Sequence, residues 1–220
     1  SLVGFWALLT FYTHIGGHHL LQAPIPMWLK VISVIDSMMM MIPVLVVLFN
    51  LWLTARGLYG ALLSCVPGKF VFAGSVNYLV VGIQGPLQSL PSVQRVTHFT
   101  NWVVAHAHLA VLGFSGMIAL GAVYYLLPLA SGRKLWSERL ANLHFWLVLI
   151  GVWAFMLILT AEGLVQGNAW LNGETVYRTL PMVSPYMMLR AMAGTMIALS
   201  AFVGVYNVVM TLRHGEAMAL

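Results

Sequence analysis

Asn101-Trp102-Val103-Val104-Ala105-His106-Ala107-His108-Leu109-Ala110-Val111-Leu112-Gly113-Phe114 opens an apolar stretch that runs from Thr100 to Pro128. A helix needs roughly 20 such residues to cross a bilayer, so this stretch reads as a membrane span. Ionisable side chains are expensive in hydrocarbon, and two histidines inside a span read as a functional site. Residues two apart on a helix diverge by about 200°, so His106 and His108 leave opposite faces and cannot share one metal, though each can ligate a different one. Upstream, His18-His19 follows Gly16-Gly17 and precedes the Pro24 to Pro26 loop. Adjacent side chains on such a turn can close on one ion, and neutral imidazole suits copper and iron.

Composition places these histidines in a membrane. Of 220 residues, 61% are hydrophobic and 7% charged, with a mean hydropathy of +0.91, a balance that cannot keep a surface wetted. Six apolar stretches stand out: Leu2 to about His14, Trp28 to Leu53, Phe70 to Leu90, Thr100 to Pro128, Leu140 to about Leu164, and Met188 to Leu212. Turn residues separate them, and the polar run Asn168 to Pro185 reads as a loop. The expected fold is all-α, a polytopic transmembrane helix bundle of about six helices forming a single transmembrane domain over residues 1–220. The single cysteine, Cys65, excludes a disulfide framework within the chain and any multi-cysteine metal site. The net charge of +5 comes from ten Lys and Arg with no basic run, which is a topology signal and not a nucleic-acid surface. Ser1 to Gly4 show neither an initiator Met nor a charged leader, and the chain reads as a piece of something longer.

Loop charges orient the bundle. With a cytoplasmic N-terminus, the inner loops hold Arg56, Lys69, Arg133, Lys134, Arg139 and Arg213, and the outer ones hold Lys30, Arg95, Arg178 and Arg190, the bias expected of cytoplasmic loops. His18-His19 then lies at the outer end of the first helix. His106 and His108 lie on the order of 10 Å down a helix entering from the same side. The two histidine sets share the outer half of the membrane.

Gly17-His18-His19-Leu20, Pro26-Met27-Trp28, Gln84-Gly85-Pro86 and Thr97-His98-Phe99-Thr100-Asn101-Trp102-Val103-Val104-Ala105-His106-Ala107-His108 occur in this order. Together they resemble the C-terminal half of the catalytic subunit of haem-copper oxidases, most closely the C-family or cbb(3)-type cytochrome c oxidases, with nitric oxide reductases next. Tyr124-Tyr125-Leu126-Leu127-Pro128, Leu143-His144-Phe145-Trp146 and Glu162-Gly163-Leu164-Val165-Gln166-Gly167 resemble the same group. The resemblance implies a twelve-helix bundle of which this chain supplies part.

It also implies roles. His18 and His19 match two of three copper ligands, His106 the proximal ligand of a high-spin haem, His108 an axial ligand of a low-spin haem, and His98 a histidine near the haem propionates. Tyr78, six residues before Gln84, matches the active-site tyrosine. The implied activity is terminal respiratory oxidation, reducing dioxygen to water, a reaction that such enzymes can couple to proton translocation. Cleaving the O–O bond in one step takes four electrons, of which a tyrosine supplies one with a proton. The alternatives are a nitric oxide reductase with non-haem iron in place of copper, and a non-catalytic diheme electron carrier. The missing copper and haem ligands are expected from an N-terminal half or partner subunit, and electrons from c-type cytochrome subunits or another donor. The implied location is the cytoplasmic membrane of a bacterium or archaeon. Two residues depart from the C-family pattern: Gln84 replaces a glutamate and Asn101 an aspartate.

Plainer readings accompany these. Tyr78 also fits helix packing, and His98 and His144 fit structural contacts, His144 at a helix end or between helices. His14 and His214 are unassigned polar termini. Met38 to Met41 cover every face of a helix and read as flexible packing. Asp36, about eight residues into a span, needs protonation or a partner and is a candidate for a proton path or a contact near the metals. Ser75, Asn77, Thr100 and Ser115 can line polar routes or tie helices together. Trp28, Trp52, Trp136 and Trp170 lie near segment ends, as an interfacial belt does.

Overall fold

The computed structural model describes residues 2–218; Ser1, Ala219 and Leu220 lie outside the described residues. It consists of helices: α1 (Leu2–Phe11), a 3-10 helix (Tyr12–Leu20), α2 (Met27–Met39), α3 (Met41–Thr54), α4 (Tyr59–Ser64), α5 (Val66–Ser89), α6 (Pro91–Thr97), α7 (Asn101–His108), a π-helical segment (Leu109–Gly116), α8 (Met117–Ser131), α9 (Glu138–Leu171) and α10 (Val176–His214). Five stretches of the described residues are long and apolar enough to span a membrane: Met27–Thr54, Val66–Ser89, Asn101–Ser131, Glu138–Leu171 and Val176–His214. The protein is a multi-pass membrane protein. The sixth apolar stretch is the ten-residue α1, about 15 Å long at 1.5 Å per residue. Phe5 and Trp6 are exposed on it.

The caps follow from local chemistry. Thr100 accepts the amide N–H of Trp102 and so caps α7, and Ser137 accepts that of Leu140 at the head of α9. Pro67 and Pro91 stand in the first turns of α5 and α6, where a missing N–H removes no helical bond. Gly132, at φ +63°, ends α8 in the left-handed conformation that suits glycine.

The expected Asn168–Pro185 loop shrinks to a turn between α9, which runs to Leu171, and α10, which begins at Val176. Pro181 and Pro185 sit inside α10. Local turn chemistry is overridden there because Thr179 and Val183 are buried against the bundle, and membrane helices tolerate proline where neighbours satisfy the freed carbonyls.

The core lies between α5, the α7–α8 span and α9, around Phe70, Leu109, Met117 and Leu159, all fully buried. Glycine brings the backbones together. A Cβ on Gly163 would overlap the backbone of Trp102, and one on Gly167 the carbonyl of Val96. α9 therefore lies directly on α6 and α7, as small residues allow in membrane bundles. His144 is an interhelical contact, accepting or donating a bond with the Tyr124 hydroxyl at 2.9 Å and packing on Gly204.

Candidate functional site

The 3-10 helix presents His18 and His19 with their Nε2 atoms 3.0 Å apart. Two nitrogens each about 2.0 Å from one ion, at angles near 90–110°, stand about 2.8–3.3 Å apart, so this spacing fits joint ligation. The other nitrogen of His18, Nδ1, bonds Ser37 Oγ at 2.8 Å, and Ser37 in turn donates to the Ser33 carbonyl at 2.6 Å. That partner fixes the ring and turns Nε2 toward His19, the kind of outer support that metal-binding histidines have. Burial first, then the neighbouring His19 and His106, lowers the His18 pKa to about 4. The imidazole is neutral at physiological pH and needs to lose no proton to bind a metal.

These histidines share a cavity of about 520 Å³ with Tyr12, Ser37, Met40, Tyr78, Gly85 and His106. His106 is oriented from both sides: its Nδ1 donates to Gln84 Oε1 at 3.2 Å, and its ring lies parallel to Trp102 one turn earlier, centroids 5.9 Å apart. Nε2 is left for a metal. Gln84, where the resemblance expects a glutamate, thus holds the ring through an amide that carries no acidic proton. His108 leaves the opposite face, as the two-residue spacing requires. Its Nδ1 donates to the Val104 carbonyl at 2.8 Å, and its ring lies 4.9 Å from that of Phe155. His108 is exposed.

His98 stands between α6 and α7 beside Phe99, centroids 4.0 Å apart, and its pKa is lowered by burial and then by His19. Phe99 has φ +61°, a strained conformation for a bulky residue, which reverses the chain so that Thr100 can cap α7. Asn101 donates through Nδ2 to Glu162 Oε1 at 2.8 Å, and its backbone N–H to Gln166 Oε1 at 3.0 Å. The carboxyl at this point of the bundle therefore comes from α9 and not from position 101.

Asp36 has a partner, His14 Nδ1 at 3.2 Å, whose role no local pattern indicates. Tyr78 stacks on Phe114 with centroids 4.3 Å apart while lining the cavity. Tyr12 lines the same cavity and went unmarked in the sequence. A 3-10 helix eclipses residues at i and i+3, so Tyr12, Ile15 and His18 share one face, and all three line the cavity. Among the described residues no three His, Cys, Asp or Glu side chains gather as a complete metal site. Because Ser37 only orients His18, Ser37→Ala is expected to weaken the affinity of the pair for an added transition-metal ion about 10- to 100-fold; metal titration of the purified protein measures this.

The fold and the converging imidazoles define a polytopic membrane protein with a histidine-lined cavity between its helices. Residues 1–196 match the family model described as cytochrome c and quinol oxidase polypeptide I, and the chain belongs to that family. It is 31% identical to a cytochrome c oxidase subunit 1 homolog of Agrobacterium tumefaciens, over 96% of this chain and 41% of the relative. It is 29% identical to the cbb3-type cytochrome c oxidase subunit CcoN1 of Stutzerimonas stutzeri, over 98% of this chain and 47% of the relative. A solved heme-copper terminal oxidase dimer superposes with a TM-score of 0.79 at 22% identity, covering 97% of this chain and 42% of that one. The chain thus spans less than half the length of the relatives it matches.

Proposed function

We propose that this chain carries part of the oxygen-reducing centre of a terminal respiratory oxidase, seated in the cytoplasmic membrane of a bacterium or archaeon. The observation that carries the reading is the convergence of His18 and His19 Nε2 beside His106 in one cavity. His18 and His19 hold copper, His106 the iron of a high-spin haem, and His108 the iron of a low-spin haem on the far side of α7. His98 lies near the haem propionates. The remaining ligands and the electrons come from the rest of the subunit and from c-type cytochrome partners or another donor. When bound, the metals supply electrons and an open position for dioxygen.

The chain's own part is positional and protonic. Ser37 and Gln84 aim His18 and His106, and the apolar cavity wall limits water. A phenolic O–H gives up one electron and one proton toward O–O cleavage. Two phenols reach the cavity: Tyr78, and Tyr12 on the same face as His18. Tyr12→Phe and Tyr78→Phe identify the donor. The responsible one is expected to lower oxygen uptake about 100-fold or more, on the scale of a lost proton-transfer group, while the other stays near wild type. If both variants turn over oxygen normally, the tyrosine role is wrong.

Metal and haem content of the intact complex, the carbon monoxide spectrum and gas uptake together test the whole reading. Copper with two haems, a shifted high-spin band and oxygen uptake is the expected result. Non-haem iron with nitric oxide turnover would make the chain part of a reductase, and two haems without a carbon monoxide response would leave only an electron carrier.

A further inference from the structure

The Asn101–Ser131 span is not one continuous α-helix. Residues Leu109–Gly116 form a π-helical segment that begins directly after His108. A π segment closes its rings from i to i+5 and so fits an extra residue into the turn, and such segments collect at functional sites. Its ends are held by separate contacts. On the α7 side, Trp102 lies against Gly163, and Asn101 bonds Glu162 and Gln166. On the α8 side, Gly121 lies against Phe70 and Pro67, and Tyr124 bonds His144. With both ends pinned, the π segment sets the rotation of α7 relative to α8.

One side chain enters the segment. Asn77 on α5, 1% exposed, donates through Nδ2 to the Gly113 carbonyl at 2.7 Å. Its Oδ1 accepts the Trp153 indole N–H at 3.0 Å. A buried amide is thus used at both ends, joining α5, the π segment and α9. The fit is close: a Cβ on Gly113 would stand 3.3 Å from Asn77 Nδ2 and 2.7 Å from Leu109 Cδ1.

We propose that Asn77 is a positioning residue for both α7 histidines: by holding the Gly113 carbonyl it fixes the π segment, and through it the angle at which His106 faces the cavity and His108 the opposite side. The inference rests on the reading that these histidines bind haem. Asn77 touches neither ring and acts through the backbone.

The test uses the intact complex carrying Asn77→Leu, which keeps the volume and loses both bonds; Asn77→Asp, which keeps the acceptor and loses the donor; and Asn77→His, whose Nδ1–H restores a donor. Ser75→Ala, on the same helix but bonded to Trp52, is the control. Electron paramagnetic resonance of the low-spin haem and the midpoint potentials of both haems are the readouts, with oxygen uptake beside them. N77L and N77D are expected to shift both signals and to lower turnover by about tenfold or more, with N77H returning toward wild type and S75A unchanged. Wild-type spectra in N77L and N77D overturn the proposal. If N77L loses its haems outright, N77H decides: recovery supports the donor's role, and equal loss overturns it. A wild-type complex without haem would overturn the functional reading itself, which separates the two failures.

Discussion

Replacing His18 or His19 with alanine is expected to reduce the copper content of the intact complex to under about a tenth and oxygen uptake more than about 100-fold, with both haem absorbances retained. The pair supplies two nitrogens at a spacing that fits one ion, 3.0 Å apart, and His106, which lines the same cavity, is the proposed ligand of the high-spin haem. Removing either histidine leaves one imidazole from this chain, and adjacent groups do not substitute, because no further His, Cys, Asp or Glu among the described residues completes a cluster. The effect exceeds that of Ser37→Ala since it deletes a ligand, whereas the serine only orients one. Metal analysis with oxygen uptake on one sample measures both quantities. Full copper occupancy in either variant would sink the assignment.

The second large effect lies away from the metals. Gly167→Ala places a methyl group on the Val96 carbonyl, and Gly163→Ala places one on the Trp102 backbone. Backbone cannot rotate aside as a side chain can, so α9 must retreat from α6 and α7. Overpacking of this kind costs about 1–3 kcal/mol, at times more. Trp102 stacks on His106, so the proposed haem site is expected to loosen along with the fold. Gly194→Ala is the contrast, since nothing lies within 4 Å of its Cβ position and alanine favours a helix over glycine by about 1 kcal/mol. The midpoint temperature of thermal unfolding of the intact complex should fall for the Gly163 and Gly167 variants and hold or rise for the Gly194 variant. Equal behaviour of all three would show that α9 does not rest on these glycines.

Much of the architecture was legible because a membrane makes it so. A run of apolar residues of sufficient length has few outcomes in hydrocarbon other than a helix, and Trp28 to Leu53 or Thr100 to Pro128 announce themselves. The opposed faces of His106 and His108 follow from helical geometry, and the convergence of His18 with His19 from their adjacency. Where proline and polar residues gather, as from Asn168 to Pro185, local chemistry misleads: α10 continues through Pro181 and Pro185 because its buried face, with Thr179 and Val183, has neighbours to pack on. A carboxylate within a span needs a partner, and that Asp36 finds it in His14 depends on how the 3-10 helix folds back on α2.

The sequence by itself determined the class of molecule, the number of long spans to within one, and that His106 and His108 leave opposite faces of one helix, because hydropathy, charge bias and helical period are properties of neighbouring residues. Only the tertiary structure decided which ring nitrogens stay free, that Ser37 and Gln84 hold the rings, that Tyr12 joins Tyr78 at the cavity, and that Asn77 supports a π segment behind His108. Each of these depends on contacts between residues distant along the chain, on helices whose rotation is set by glycine contacts and by a change from α to π pitch. No local pattern carries that rotation, and it is the rotation that points the donor atoms.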